Sequence, residues 1–108
     1  MSEEQWPPPE ARARAALWEA ERRLTAGEYA AAGAALEDAV AHGDPGTAAV
    51  ARGLRQLAAA GYRHEDGDPV RAQRHLARAR ERLAPFLPAF DEVELDALLD
   101  LVAAAVGS

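Results

Sequence analysis

The sequence predicts an all-α fold, a single domain of about five helices joined as consecutive antiparallel hairpins. Three observations carry this. Of 108 residues, 28 are alanine and 12 leucine, against six valines and no isoleucine, so helix formers abound and the β-branched residues that populate strands are scarce. Apolar residues recur at steps of three and four rather than two. Glycine and Asp-Pro punctuate the chain at short intervals, at Gly27, Gly43-Asp44-Pro45 and Gly67-Asp68-Pro69. No sheet is expected. A chain of this length buries roughly 60–65% of the surface its unfolded form exposes, but alanine fills little volume, so the core should be thin.

Each element follows in order. Residues 1–9 end in Pro7-Pro8-Pro9, which cannot be helical internally, and read as a flexible proline-rich leader before a helical domain over 10–106. The first helix, near 10–25, places Ala13, Ala16, Leu17, Ala20 and Leu24 on one face and stops at Gly27. The second, near 28–42, carries Tyr29, Ala32, Gly33, Leu36 and Val40. Glycine costs a helix about 1 kcal/mol relative to alanine, so Gly33 reads first as a point of close approach by another helix. The third helix, near 45–63, starts at the Asp44-Pro45 cap and aligns Val50, Leu54, Leu57, Ala58 and Gly61. The fourth, near 69–83, starts at Asp68-Pro69, turns Ala72, Leu76, Ala79 and Leu83 inward, and is stopped by Pro85 and Pro88. Asp91 is the expected cap of a fifth helix near 92–106, with Leu95, Leu98, Leu99, Val102 and Val106 on its apolar face. At an offset of forty residues, Gly27, Glu28, Ala32, Leu36 and Ala39 fall on Gly67, Asp68, Ala72, Leu76 and Ala79. A turn followed by a helix with small residues at fixed steps is how tetratricopeptide-like bundles are built.

Composition also excludes functions. There is no cysteine, hence no disulfide, thiol nucleophile or thiolate metal site, which suits a reducing compartment. The start, Met1-Ser2-Glu3-Glu4, has no apolar run, and the apolar stretch 95–106 is about half a membrane span and holds Asp96 and Asp100. A soluble cytoplasmic protein with no membrane contact is expected. The net charge of −6 is unevenly spread: residues 1–49 have four Arg against nine acids, residues 50–82 eight Arg against four acids, and residues 83–108 five acids and no base. Within the basic middle, Arg71, Arg74, Arg78 and Arg82 fall within about an 80° arc at 100° per residue, one continuous cationic helix face. His42, His64 and His75 are scattered and read as solvated side chains rather than joint metal ligands.

The stretch RLTAGEYAAAGAALEDAV followed by VARGLRQLAAAGYRHEDGDPVRAQRHLARARERLAPF resembles the bacterial and archaeal family called domain of unknown function 309. The likeness covers about residues 16 to 90 and rests on Gly27, Tyr29, Ala32, Leu36, Glu37, Gly53, Leu54, Gln56, Gly67 and Ala72 in order. The family's His-x-x-x-Glu-x-x-Trp/Tyr signature implies a metal site, two ligands four apart sharing one helix face. Gly33 stands here in place of that histidine and Val40 in place of the aromatic, leaving Glu37 alone. Arg52 and Arg55 stand where the family has glutamine and isoleucine, and Arg63 where it has a histidine near the end of the third helix. Arginine has no lone pair for a metal. The resemblance therefore implies a degenerate site without metal or other cofactor, in which Glu37 is either an exposed helix carboxylate or, if its helix border is covered, the partner of Arg52 or Arg63 in a buried ion pair.

Three functions of different classes remain. The first is a non-catalytic interaction module that meets another protein or its own copy, with Arg71, Arg74, Arg78 and Arg82 as partner-binding residues and Asp96 and Asp100 as their counterpart in self-association. The second is the family's metal-dependent activity in altered form. The third is nucleic-acid binding through the arginines, disfavoured by the acidic total and by the lack of aromatic residues among them for stacking.

Overall fold

The computed structural model describes residues 7–107. Six α-helices account for nearly all of it: α1 (Pro9–Thr25), α2 (Tyr29–Ala35), α3 (Glu37–His42), α4 (Pro45–Glu65), α5 (Pro69–Leu83) and α6 (Leu95–Gly107). Only Leu36 separates α2 from α3, and its own conformation is helical, with φ −80° and ψ −8°. The second arm is thus one helical rod that changes pitch, and the count of five arms stands. At the change, the Leu36 amide donates to the Gly33 carbonyl three residues back at 3.2 Å, a tightened turn of the 3₁₀ kind. Much of the proline-rich leader, residues 1–6, lies outside the described residues; its last proline, Pro9, is the first residue of α1, where a missing N–H costs nothing.

The two glycine turns are alike. Gly27 and Gly67 have φ of +78° and +81°, which glycine adopts without the penalty a Cβ would bring. At each, the glycine N–H bonds three residues back, to Leu24 and His64, and the next N–H bonds five back, from Glu28 to Arg23 and from Asp68 to Arg63. This is the Schellman closure, repeated at the forty-residue offset. Asp44 and Asp68 cap α4 and α5 by accepting from the amides of Thr47 at 2.8 Å and Arg71 at 3.1 Å. The Thr47 amide holds the Asp44 carboxyl below its usual range.

Consecutive arms pack on one another. α1 lies against α2 and α3, these against α4, and α4 against α5 over the longest interface; α6 closes on α4, α5 and α1. The core is the leucine set Leu17, Leu24, Leu36, Leu54, Leu57, Leu83 and Leu95 with Val50, Val93 and Val102, in a mortar of buried alanines. Alanine brings backbones close, and glycine closer still. A Cβ on Gly61 would stand 2.4 Å from Cδ1 and Cε1 of the Tyr29 ring, and one on Gly53 2.5 Å from Leu83 Cδ2.

The end of the chain departs from expectation in one respect. Asp91 does not cap a helix at 92, and a sheet does exist: β1 (Ala89–Phe90) pairs antiparallel with β2 (Val93–Glu94), Ala89 opposite Glu94 and Phe90 opposite Val93. Asp91 and Glu92 both have positive φ, 49° and 69°, the signature of a two-residue type I′ hairpin. Trp18 of α1 holds the turn by donating its indole N–H to the Asp91 carbonyl at 2.8 Å. α6 therefore starts three residues late, at Leu95.

Candidate functional site

The degenerate motif's Gly33 and Glu37 and the arginines the sequence singled out fall on two surfaces. Gly33 and Glu37 lie on the first, a groove of about 410 Å³ between α2–α3 and α4, lined also by Tyr29, Ala58, Arg55 and Tyr62. No helix approaches Gly33: a Cβ there would meet nothing within 4 Å. The close approach expected at Gly33 occurs instead at Gly61, where Tyr29 packs on α4. Burial, with Glu65 adding to it, raises the Tyr29 phenol above its usual pKa.

Glu37 is exposed, and among the described residues it forms no ion pair. The buried pair with Arg52 or Arg63 is therefore absent, for two reasons. A carboxylate in water needs no neutralising partner, and α4 is rotated so that Arg52 and Arg63 face α5 while Arg55 alone lines the groove with Glu37. Val40 is half-buried and packs on the core. One carboxylate beside a guanidinium does not make a donor set for a divalent cation, which takes three or four protein ligands. Among the described residues, no three His, Asp or Glu side chains converge as a metal site would require.

The second surface is the outer face of the α4–α5 hairpin. Arg52, Arg55, Gln56, Ala59, His75 and Arg82 surround a hollow of about 360 Å³. Beside it, a hollow of about 220 Å³ is lined by Arg63, Arg71, Arg74, His75 and Arg78. His75 stands between the two. The four arginines read from α5 are all here, and α4 adds three that periodicity could not assign to this face. Among the described residues, only Arg71 of these seven has an acidic partner, Asp68 at 3.5 Å; Arg63 additionally stacks over Tyr62, 5.9 Å from the ring centroid.

His75 is half-buried, and its Nδ1 lies 2.8 Å from Gln56 Oε1. With the amide oxygen accepting, Nδ1 carries the ring proton and Nε2 is left to take the second. Burial first, then the charges of Arg63, Arg78 and Arg71, hold the His75 pKa below 6.5. The sequence reads His75 as a solvated side chain, and the structure corrects this: it is half-buried against Gln56, and its only signal was position, on the edge of the arginine arc one residue after Arg74.

Fold and surface define a small helical domain with a cationic hairpin face. No family model matches the chain, and no curated protein or solved structure matches it either. Among the described residues, no helix is long and apolar enough to cross a membrane.

Proposed function

We propose that this chain is a non-catalytic interaction module whose α4–α5 face docks an acidic segment of a protein partner. The observation that carries it is the unbalanced charge of that face: Arg52, Arg55, Arg63, Arg74, Arg78 and Arg82 line its two hollows without an acidic partner among the described residues. Such a surface speeds and selects association with negative partners, and does so less in salt. The likeness to domain of unknown function 309 fits the same reading as a descendant of that fold whose metal motif has decayed to Glu37. Nucleic acid is the weaker match, because no aromatic ring stands between the α5 arginines to stack a base.

The test is fluorescence anisotropy of a labelled acidic peptide with the full chain at low and high salt. Binding that weakens with salt and is lost in the Arg74→Glu, Arg78→Glu double variant, with helical circular dichroism unchanged, supports the reading. Undiminished binding in that variant ends it. A preference for single-stranded RNA over the peptide at equal charge transfers the site to nucleic acid. Sedimentation of the chain alone examines the remaining occupant, a second copy offering Asp96 and Asp100, both exposed on α6.

A further inference from the structure

We infer, resting on that reading, that the hollow of Arg63, Arg71, Arg74, His75 and Arg78 seats a phosphate monoester dianion, borne on the docking segment as a phosphorylated side chain. Every side chain lining this hollow donates through nitrogen, and at about 220 Å³ it is the smaller of the two on this face. Arg63 comes from α4 and the rest from α5, so donors reach an occupant from two helices.

Charge and donor count favour the phosphate over a carboxylate. An aspartate or glutamate brings one charge and two oxygens, enough for one guanidinium fork, and would leave most of the cluster unanswered. A phosphorylated serine, threonine or tyrosine brings a charge near −2 and three acceptor oxygens. A phosphodiester brings one charge and two free oxygens, no better than the carboxylate. Asp68 already occupies one side of Arg71, which leaves Arg63, Arg74 and Arg78 as the unsatisfied forks.

His75 gives the site a signature that a mere basic patch lacks. α4 faces it with Gln56 and Arg63, its own helix surrounds it with Arg71, Arg74 and Arg78, and Arg52, Arg55 and Arg82 line the adjoining hollow. The charges that act on its titration are all arginines. A dianion seated among them offsets the arginine repulsion that adds to burial in disfavouring the charged ring, so Nε2 gains a proton as the ligand binds. Gln56 keeps its hydrogen bond in either state, since Nδ1 donates in both.

The experiment compares two acidic peptides identical but for a central serine or phosphoserine, by titration calorimetry with the full chain. The phosphopeptide should bind at least roughly tenfold tighter, one decade in Kd. Arg63→Gln and Arg74→Gln should each remove that preference, whereas Arg80→Gln, an exposed α5 residue outside the hollow, should keep it. Titration with inorganic sulfate, which brings no titrating proton of its own, in two buffers of different ionisation enthalpy should show proton uptake, absent in His75→Gln. Sulfate should bind more tightly as pH falls toward 6 and abolish the preference by competition.

Equal affinity for the two peptides overturns the phosphate seat and leaves the acidic-segment reading standing. Equal loss in Arg80→Gln overturns it too, as attraction without a site. If inorganic phosphate binds the hollow but neither peptide does, the segment-borne source is wrong and so is the docking reading. If neither peptide nor phosphate binds, both proposals fall.

Discussion

In α1, Arg22 and Arg23 lie one turn beyond Glu19 and both close on its carboxylate, and Arg23 also reaches Glu28 at 2.7 Å. In α5, Arg74, Arg78 and Arg82 lie one turn from each other, and none has an acid within ion-pair distance among the described residues. The residue type and the helical spacing are the same. What differs is the pairing one turn away: in α1 a glutamate on which both arginines close, in α5 further arginines, with Glu81 three residues beyond Arg78 outside ion-pair distance of it. Self-paired arginines contribute to their own helix and present little field, while like charges at this spacing cost the helix a few tenths of a kcal/mol per pair. A protein that keeps such a face either tolerates that cost or uses the field.

Four measurements break or sharpen this contrast. The largest effect belongs to the part both regions share. Leu54, fully buried in α4, belongs to the common hydrophobic core, and Leu54→Ala should lower unfolding free energy by about 2–5 kcal/mol. Urea titration followed by helical signal should show one transition at a lower midpoint; two transitions would mean that α1–α3 and α4–α5 unfold as separate units. Next comes charge reversal. Arg74→Glu with Arg78→Glu should weaken acidic-peptide binding by roughly tenfold or more, ~1.4 kcal/mol, whereas Arg22→Glu with Arg23→Glu should change it less than twofold.

Smaller still is the paired side itself. Glu19→Gln removes the carboxylate that two arginines share, yet all three side chains are substantially exposed, so thermal unfolding should register about 0.5 kcal/mol or less. The smallest effect is one of pH. Folding holds the His75 pKa below its unfolded 6.5, so the unfolded chain binds more protons in the window just below that value. Stability contributed by neutral His75 is therefore complete above about pH 6.5 and is lost as pH falls from there through the folded pKa. Denaturation midpoints between pH 7 and 5 should drop less steeply for His75→Gln than for the parent chain; parallel profiles would place His75 outside the arginine field.

Arms and turns were legible because each carries local chemistry: glycine at positive φ, or Asp-Pro supplying a cap and a first-turn ring. The 89–94 hairpin was hidden because Asp91 and Glu92 occupy positions where Asn-Gly is the recognisable signal, and Phe90 and Val93 alone are too short an apolar pattern. The cationic face was half visible. Periodicity grouped Arg71, Arg74, Arg78 and Arg82, since they share one helix, but which way α4 turns its arginines depends on tertiary rotation. α4 buries small residues over much of its circumference, from Ala48 and Ala51 to Ala58 and Ala60, so its sequence does not define one inward direction. Arg52 and Arg63 are linked to Glu37 only through the family resemblance, which carries no information on that rotation, and their place is beside α5. Gly33 misled in the opposite sense, because a helical glycine marks close approach only when something approaches.

The bond from Trp18 to Asp91 spans 73 residues of chain. It ties the first helix to the turn that launches the last, closing the molecule end to end, whereas the α4–α5 hairpin joins neighbours in sequence across a single turn. Closing a long loop costs more entropy than closing a short one, and contacts of high separation form after local ones have made them affordable. The expected order of assembly then runs outward from the middle, with the arginine-bearing hairpin formed early and the terminal clasp last. Trp18, still 44% exposed when clasped, is placed to report that final step: in the Trp6→Phe variant, indole emission should change after the helical signal has been gained.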